Sequence, residues 1–114
     1  DLILPLTAIL VEQGCQVRVM PAWHGGEILK ADVVVAEKGS AHLIKARHLA
    51  SATLLIDAGF YWTAAGVRGN VDNDDVAGIG GHLLPVPGGI GPLLIAKLMQ
   101  NLSRAAWEQQ DLKP

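Results

Sequence analysis

The sequence predicts an α/β fold built on a parallel sheet, and three observations carry that expectation. Residues 31–36 ("ADVVVA") and 52–59 ("ATLLIDAG") are continuous apolar, partly β-branched runs, the pattern of strands covered on both faces. Apolar residues recur at helical spacing in Leu6, Ile9 and Leu10, and again in Leu94, Leu98, Met99, Leu102, Ala105 and Ala106. The stretches between these segments are short, as in sheets whose strands alternate with helices.

Taken in order, residues 5–13 predict a helix, with Pro5 near its start and Gly14 as its stop. Residues 15–20 alternate, with Val17 and Val19 on one side, and predict a strand. Residues 21–30 read as loop with about one helical turn. The run 31–36 is the next strand, 42–49 a short helix, and "ATLLIDAG" a further buried strand ending at Asp57. Residues 60–70 read as irregular, and 72–76 as a short helix with Asp72 as its N-cap. Residues 83–86 form the last strand, leading into a final helix that opens at Pro92, where a missing N–H costs nothing. The tail from about residue 107 looks solvated and frayed.

The 114 residues are expected to form one domain. A net charge of −2 gives no basic footprint for nucleic acid. No apolar run reaches membrane-spanning length, since the longest, residues 2–11, is interrupted by Pro5 and Thr7. The lone Cys15 rules out an internal disulfide and suits a reducing compartment, so the expected localisation is cytoplasmic. The chain opens on Asp1 rather than methionine, which suggests a piece of something longer.

One loop is unusual for its composition. Residues 85–92 hold three prolines and three glycines and run directly into a helix. Proline fixes φ, while glycine lets another molecule approach the backbone. A stiff glycine loop ending at a helix N-terminus suits an anion or a flat ligand, but equally a tight strand-to-helix turn without one. In parallel α/β sheets, ligands sit beyond the carboxyl ends of the strands. Here those ends are residues 20–24, 36–40, 57–61 and 85–91.

These four stretches, in this order, resemble the nucleotide-binding domain of the bifunctional methylenetetrahydrofolate dehydrogenase/cyclohydrolase family. The family's Pro-Val-Pro-Gly-Gly-Val-Gly-Pro motif is met by residues 85–92 with one conservative change, Ile90. "ADVVVAEKG", "LLIDAG" and "GNVD" are similar to further family motifs, and the likeness runs from Pro5 to Ala106. It implies a Rossmann-like parallel sheet with flanking helices, binding NADP or NAD. By the same resemblance Ala22, Gly39, Phe60, Pro87, Gly88, Gly89 and Gly91 border the cofactor cleft, with Phe60 backing the adenine or nicotinamide side. The family's catalytic tyrosine and lysine belong to an amino-terminal folate domain that this chain lacks. No catalytic residue is therefore expected here, and folate turnover requires that other domain. A homodimer is the expected assembly.

The chain departs from the family's motifs at several points. Ile3 stands for a glycine of the phosphate-binding turn, Pro21-Ala22 for His-Ser, and Glu37 for a small alanine near the expected pyrophosphate. Tyr61 replaces an asparagine, Asn70 an aspartate, and Leu93-Leu94 replace Met-Thr. Weak dinucleotide binding follows as an expectation. An alternative reading is a divergent relative, a binding or assembly module with an eroded nucleotide site. The resemblance also places a central strand between residues 16–20 and 33–36 that residues 1–4 are too short to supply. The first strand is thus apparently missing, and the chain alone is expected to self-associate or to be unstable.

Other candidates carry less. His24-Gly25-Gly26 lacks the Gly-x-Ser-x-Gly partner of an esterase. His42 and His48 are spaced wrongly to share a helical face as metal ligands. Asp72, Asp74 and Asp75 lack EF-hand spacing and suit a helix cap with solvated neighbours. Trp23, Trp62 and Trp107 share no element and suit packing or rim positions. Asp57, closing a buried strand, either accepts backbone N–H groups or meets a ligand.

Overall fold

Parallel pairing supplies the frame. In the computed structural model, which describes residues 2–21, 23 and 27–110, strands β1 (Val33–Ala36), β2 (Leu54–Asp57) and β5 (His82–Leu84) form a three-stranded sheet in the order β1-β2-β5. Val33 lies opposite Leu54 and Ala36 opposite Asp57, while Leu54 pairs with His82 and Ile56 with Leu84. All three strands point the same way, so the turns leaving β1, β2 and β5 emerge side by side along one edge of the sheet. The expected strands over 31–36 and 52–59 are therefore present.

The core is small. Val34 and Leu55 from the sheet pack with Ile28, Ile44, Leu49, Val71 and Val76, all contributed by short segments outside it. Ile28 lies in the 3₁₀ turn Glu27–Lys30, Ile44 and Leu49 flank a second such turn, Ala46–His48, and Val76 closes the short helix α2 (Asn73–Val76). Asp72 caps α2 by accepting from the Asp75 N–H at 3.3 Å, as expected, and its carboxylate also meets Lys45 Nζ at 2.9 Å. That lysine holds the Asp72 carboxyl below its usual range.

Several elements differ from expectation, each for a physical reason. Residues 60–70 are not irregular: Tyr61–Thr63 (β3) and Gly66–Arg68 (β4) form an antiparallel hairpin with Trp62 opposite Val67. Its turn is closed by Thr63 Oγ1, which donates to the Gly66 carbonyl at 2.7 Å, and Gly66 takes φ +102°. The expected helix over 42–49 shrinks to the turn Ala46–His48, because Ile44 instead bridges Val71 in parallel. Residues 15–20 form no strand: alternation alone makes none without a neighbouring edge, and the outer edge of β1 has no partner among the described residues. Val33 on that edge is accordingly 50% exposed rather than covered on both faces.

Helix α1 (Ile3–Glu12) ends where expected. Gly14 adopts φ +90°, and its N–H and that of Cys15 close onto the carbonyls of Val11 and Leu10. Helix α3 (Ile90–Gln109) begins two residues before Pro92 and continues through Trp107, so the expected fraying from residue 107 does not begin there; residues 111–114 lie outside the described residues. Neither α1 nor α3 buries a residue. Leu94, Ile95, Leu98, Met99 and Leu102 form an exposed apolar stripe on α3. The radius of gyration is 16.5 Å, against about 13 Å for a compact chain of this length. Among the described residues no helix is long and apolar enough to cross a membrane.

Two predictions follow from these contacts. The α3 stripe and the open β1 edge should drive concentration-dependent association in sedimentation velocity runs. Leu98→Lys with Leu102→Lys should reduce that association without lowering the melting temperature, since neither side chain supports the core. A wild-type chain that stays monomeric at all concentrations contradicts this. The second concerns His48, whose Nδ1 accepts from the Lys45 N–H at 3.0 Å and whose ring meets Trp23 edge-on at 4.5 Å. Burial, with the charges of Arg47 and Lys45, lowers its pKa below 6.5. The neutral form is thus favoured by folding, so this contribution is complete above pH 6.5 and is lost as pH falls through the lower folded value. Melting temperature should drop between about pH 7.5 and pH 5, and drop less in His48→Asn, whose side-chain oxygen accepts but does not titrate. Equal drops in the two proteins would overturn the assignment.

Candidate functional site

At the carboxyl end of β2, Asp57 is completely buried. Its Oδ1 accepts from the Gly59 N–H at 2.9 Å and the Asn70 N–H at 3.0 Å, and its Oδ2 from the Val71 N–H at 2.9 Å. Asp57 thus takes the structural one of its two expected roles, tying residues 69–71 to the end of the strand. Gly69 lies against this carboxylate so closely that a Cβ there would overlap both oxygens. The tethered segment then pairs with residues 42–44: the Ile44 N–H donates to Asn70 O, and the Asp72 N–H to Ile44 O, both at 2.9 Å.

Asn70, also fully buried, extends the same anchor sideways. Its Nδ2 lies 3.3 Å from Lys38 O, 3.2 Å from Ser40 O and 3.1 Å from Tyr61 Oη. It therefore joins the turn after β1, which carries Gly39, to the turn after β2, which carries Phe60. Gly39 has φ +132°, a conformation that L side chains rarely adopt, and Phe60 is exposed with its ring edge-on to Trp62 at 5.6 Å. Asn70 was not among the sequence-derived candidates. In the sequence Asn70 stands out only within the motif of residues 69–72, and only the fold brings it against residues 38–40.

The third turn follows β5. Pro87 and Gly88 are exposed, Gly89 is buried, and Gly91 lies in the first turn of α3. Gly88 takes φ +97° and has open space where a Cβ would stand. Gly89 has φ −94°, so its need for glycine is steric: a Cβ would overlap Pro85 O. Gly39, Phe60, Pro87, Gly88, Gly89 and Gly91 are thus on the three adjacent turns at one end of the sheet. Ala22 and His24-Gly25-Gly26 lie outside the described residues.

Glu37, the first residue after β1, reaches the N-terminus of α1, where its Oε1 accepts from the Leu2 N–H at 3.2 Å. α1 has no acidic residue in its first turn and no side-chain cap of its own. Glu37 therefore supplies the negative charge that free helix N–H groups attract. The histidines and acids considered as metal ligands are separately engaged or dispersed: Asp72 caps α2 and Asp75 accepts from the Ala46 N–H at 2.7 Å. A shallow cavity bordered by Thr53, Gly81 and His82 lies at the opposite, amino-terminal end of the strands.

A parallel sheet with glycine turns aligned beyond its carboxyl ends defines an α/β protein of the Rossmann-like, dinucleotide-binding class. Residues 3–110 match the family described as tetrahydrofolate dehydrogenase/cyclohydrolase, NAD(P)-binding domain, and the chain belongs to that family. The "Bifunctional protein FolD 1" of Syntrophomonas wolfei is 50% identical over 112 residues, covering 96% of this chain and 40% of that protein. The "Bifunctional protein FolD" of Lactobacillus helveticus is 34% identical over 110 residues, 94% of this chain and 39% of that protein. Among solved structures, the bifunctional FolD enzyme of Campylobacter jejuni superposes with a TM-score of 0.66 at 28% identity, over 71% of this chain and 29% of that one. A 5,10-methylenetetrahydrofolate dehydrogenase from the silkworm Bombyx mori gives 0.65 at 37% identity, over 74% of this chain and 28% of that one. The chain spans about two fifths of the length of the curated relatives named here.

The two kinds of glycine requirement predict different costs. Gly89→Ala should cost about 3 kcal/mol, because backbone must move to admit the Cβ. Gly66→Ala should cost about 1 kcal/mol, the strain of a positive φ in open surroundings. Chemical denaturation of both variants measures the difference, and equal losses would contradict it.

Proposed function

We propose that this chain is the dinucleotide-binding part of a bifunctional methylenetetrahydrofolate dehydrogenase/cyclohydrolase. On this reading, residues 1–114 act as one unit that holds NADP or NAD in the cleft bordered by Gly39, Phe60, Pro87, Gly88, Gly89 and Gly91. The single observation that carries the reading is the alignment of three glycine-bearing turns at the carboxyl ends of β1, β2 and β5. Backbone close to the surface there lets a flat nicotinamide or adenine approach, and Phe60 offers an exposed ring face beside it.

Among the side chains that border this cleft, Gly39, Phe60, Pro87, Gly88, Gly89 and Gly91 offer no acid, base or nucleophile. Hydride transfer would be supplied by the bound cofactor. What the chain itself contributes is binding and orientation. Folate would be brought by a further domain, for which the exposed apolar faces of α1 and α3 are the natural seat. A homodimer in the cytoplasm, where the exposed thiol of Cys15 stays reduced, completes the proposal.

One contact favours a second reading, a binding or assembly module whose nucleotide site has eroded. Glu37 Oε1 stands at the α1 N-terminus, where a dinucleotide's diphosphate would seek the same N–H groups. The carboxylate neutralises this helix end and would repel a diphosphate. Calorimetric titration separates the two readings. The wild-type chain should bind NADP or NAD weakly, above the low micromolar range. Glu37→Gln keeps an acceptor for Leu2 and removes the charge, and should bind about tenfold more tightly. Unchanged affinity would show that Glu37 does not oppose the cofactor, and binding of neither dinucleotide by either protein would favour the eroded module.

A further inference from the structure

Asn70 stands between two of the three turns of the cleft, and its surroundings constrain its orientation. Its amide nitrogen faces three oxygens, those of Lys38, Ser40 and Tyr61, while its Oδ1 is buried without a hydrogen-bond partner beside Gly59. The reverse orientation would set Oδ1 against two carbonyl oxygens, so the side chain has one satisfactory placement. An amide has only two hydrogens for these three acceptors, and the Tyr61 hydroxyl is the one acceptor that can rotate to suit. Gly59 admits the arrangement because a Cβ there would overlap Asn70 Oδ1. The Asn70 backbone is fixed independently by Asp57, so its side chain acts from a rigid base.

The Asn70 amide and the Tyr61 hydroxyl meet at 3.1 Å across the gap between these turns. We propose that Asn70 and Tyr61 form one coupled positioning unit of the dinucleotide cleft. Asn70 sets the separation between the Gly39 turn and the Phe60 turn: the Lys38 and Ser40 carbonyls fix its amide, and the Tyr61 hydroxyl links that amide to the turn that carries Phe60. This inference rests on the reading of the cleft as a dinucleotide site.

The test is a double-substitution cycle read by NADP and NAD titration, at a temperature where circular dichroism shows each protein folded. Tyr61→Phe keeps the ring and removes one acceptor, and should weaken binding about threefold to tenfold while shifting the melting temperature by no more than about two degrees. Asn70→Ala should weaken binding by about tenfold or more, and the double variant no further than Asn70→Ala alone. In the absence of ligand, both single substitutions should shift the Gly39 amide resonance. Wild-type binding that Tyr61→Phe leaves unchanged, or effects that multiply in the double variant, would overturn the coupled unit alone. A wild-type chain that binds neither NADP nor NAD would overturn the reading of the cleft and the unit with it.

Discussion

The turns that follow β1 and β2 depend on the buried carboxyl group of Asp57. A carboxylate taken out of water costs several kcal/mol unless its oxygens find donors. Here three backbone N–H groups, from Gly59, Asn70 and Val71, serve that need. The bonds run both ways in their effect. They make the burial of Asp57 tolerable, and they satisfy three amides in a loop that crosses the end of the sheet without belonging to it. Once residues 69–71 are fixed, residues 42–44 pair against them and Asn70 reaches the turns after β1 and β2. The turns after β1 and β2 are therefore held together from the middle strand.

Much of this was legible in the sequence, and the parts that were not share a cause. β1 and β2 were readable because each carries an uninterrupted apolar run, four residues in β1 and three ahead of Asp57 in β2. α1 was readable from its apolar spacing and from Gly14 as its stop. The hairpin of β3 and β4 was not, because strands of three residues carry too little alternation and the Ala64-Ala65 turn is not a strong hairpin signal. Residues 15–20 alternate well yet remain unpaired, since strand formation needs an edge to pair with, which one segment's pattern does not contain. Within the Gly-Gly pair the positive φ belongs to Gly88, while Gly89 is held by close backbone approach. Composition alone does not separate those two reasons. The residue most hidden from sequence was Asn70, whose importance lies wholly in long-range contacts.

The two long helices relate to the sheet differently from the short segments. Ile44, Leu49, Val71 and Val76 complete the core, whereas α1 and α3 keep their apolar faces exposed. In the hydrophobic balance of a chain this size, that is a large unburied area for an isolated molecule. The curated relatives named above are about two and a half times as long as the stretch they share with this chain. The α1 N-terminus is the exception, since Glu37 already occupies it from the end of β1.

The most direct test of the account is to map, by amide chemical-shift changes, where NADP touches the chain. The largest changes should fall on Gly39, Phe60, Gly88, Gly89 and Gly91, with smaller changes at Gly59, Asn70 and Val71 as their hydrogen bonds to Asp57 adjust. Changes concentrated instead on Thr53, Gly81 and His82, at the opposite end of the strands, would contradict it.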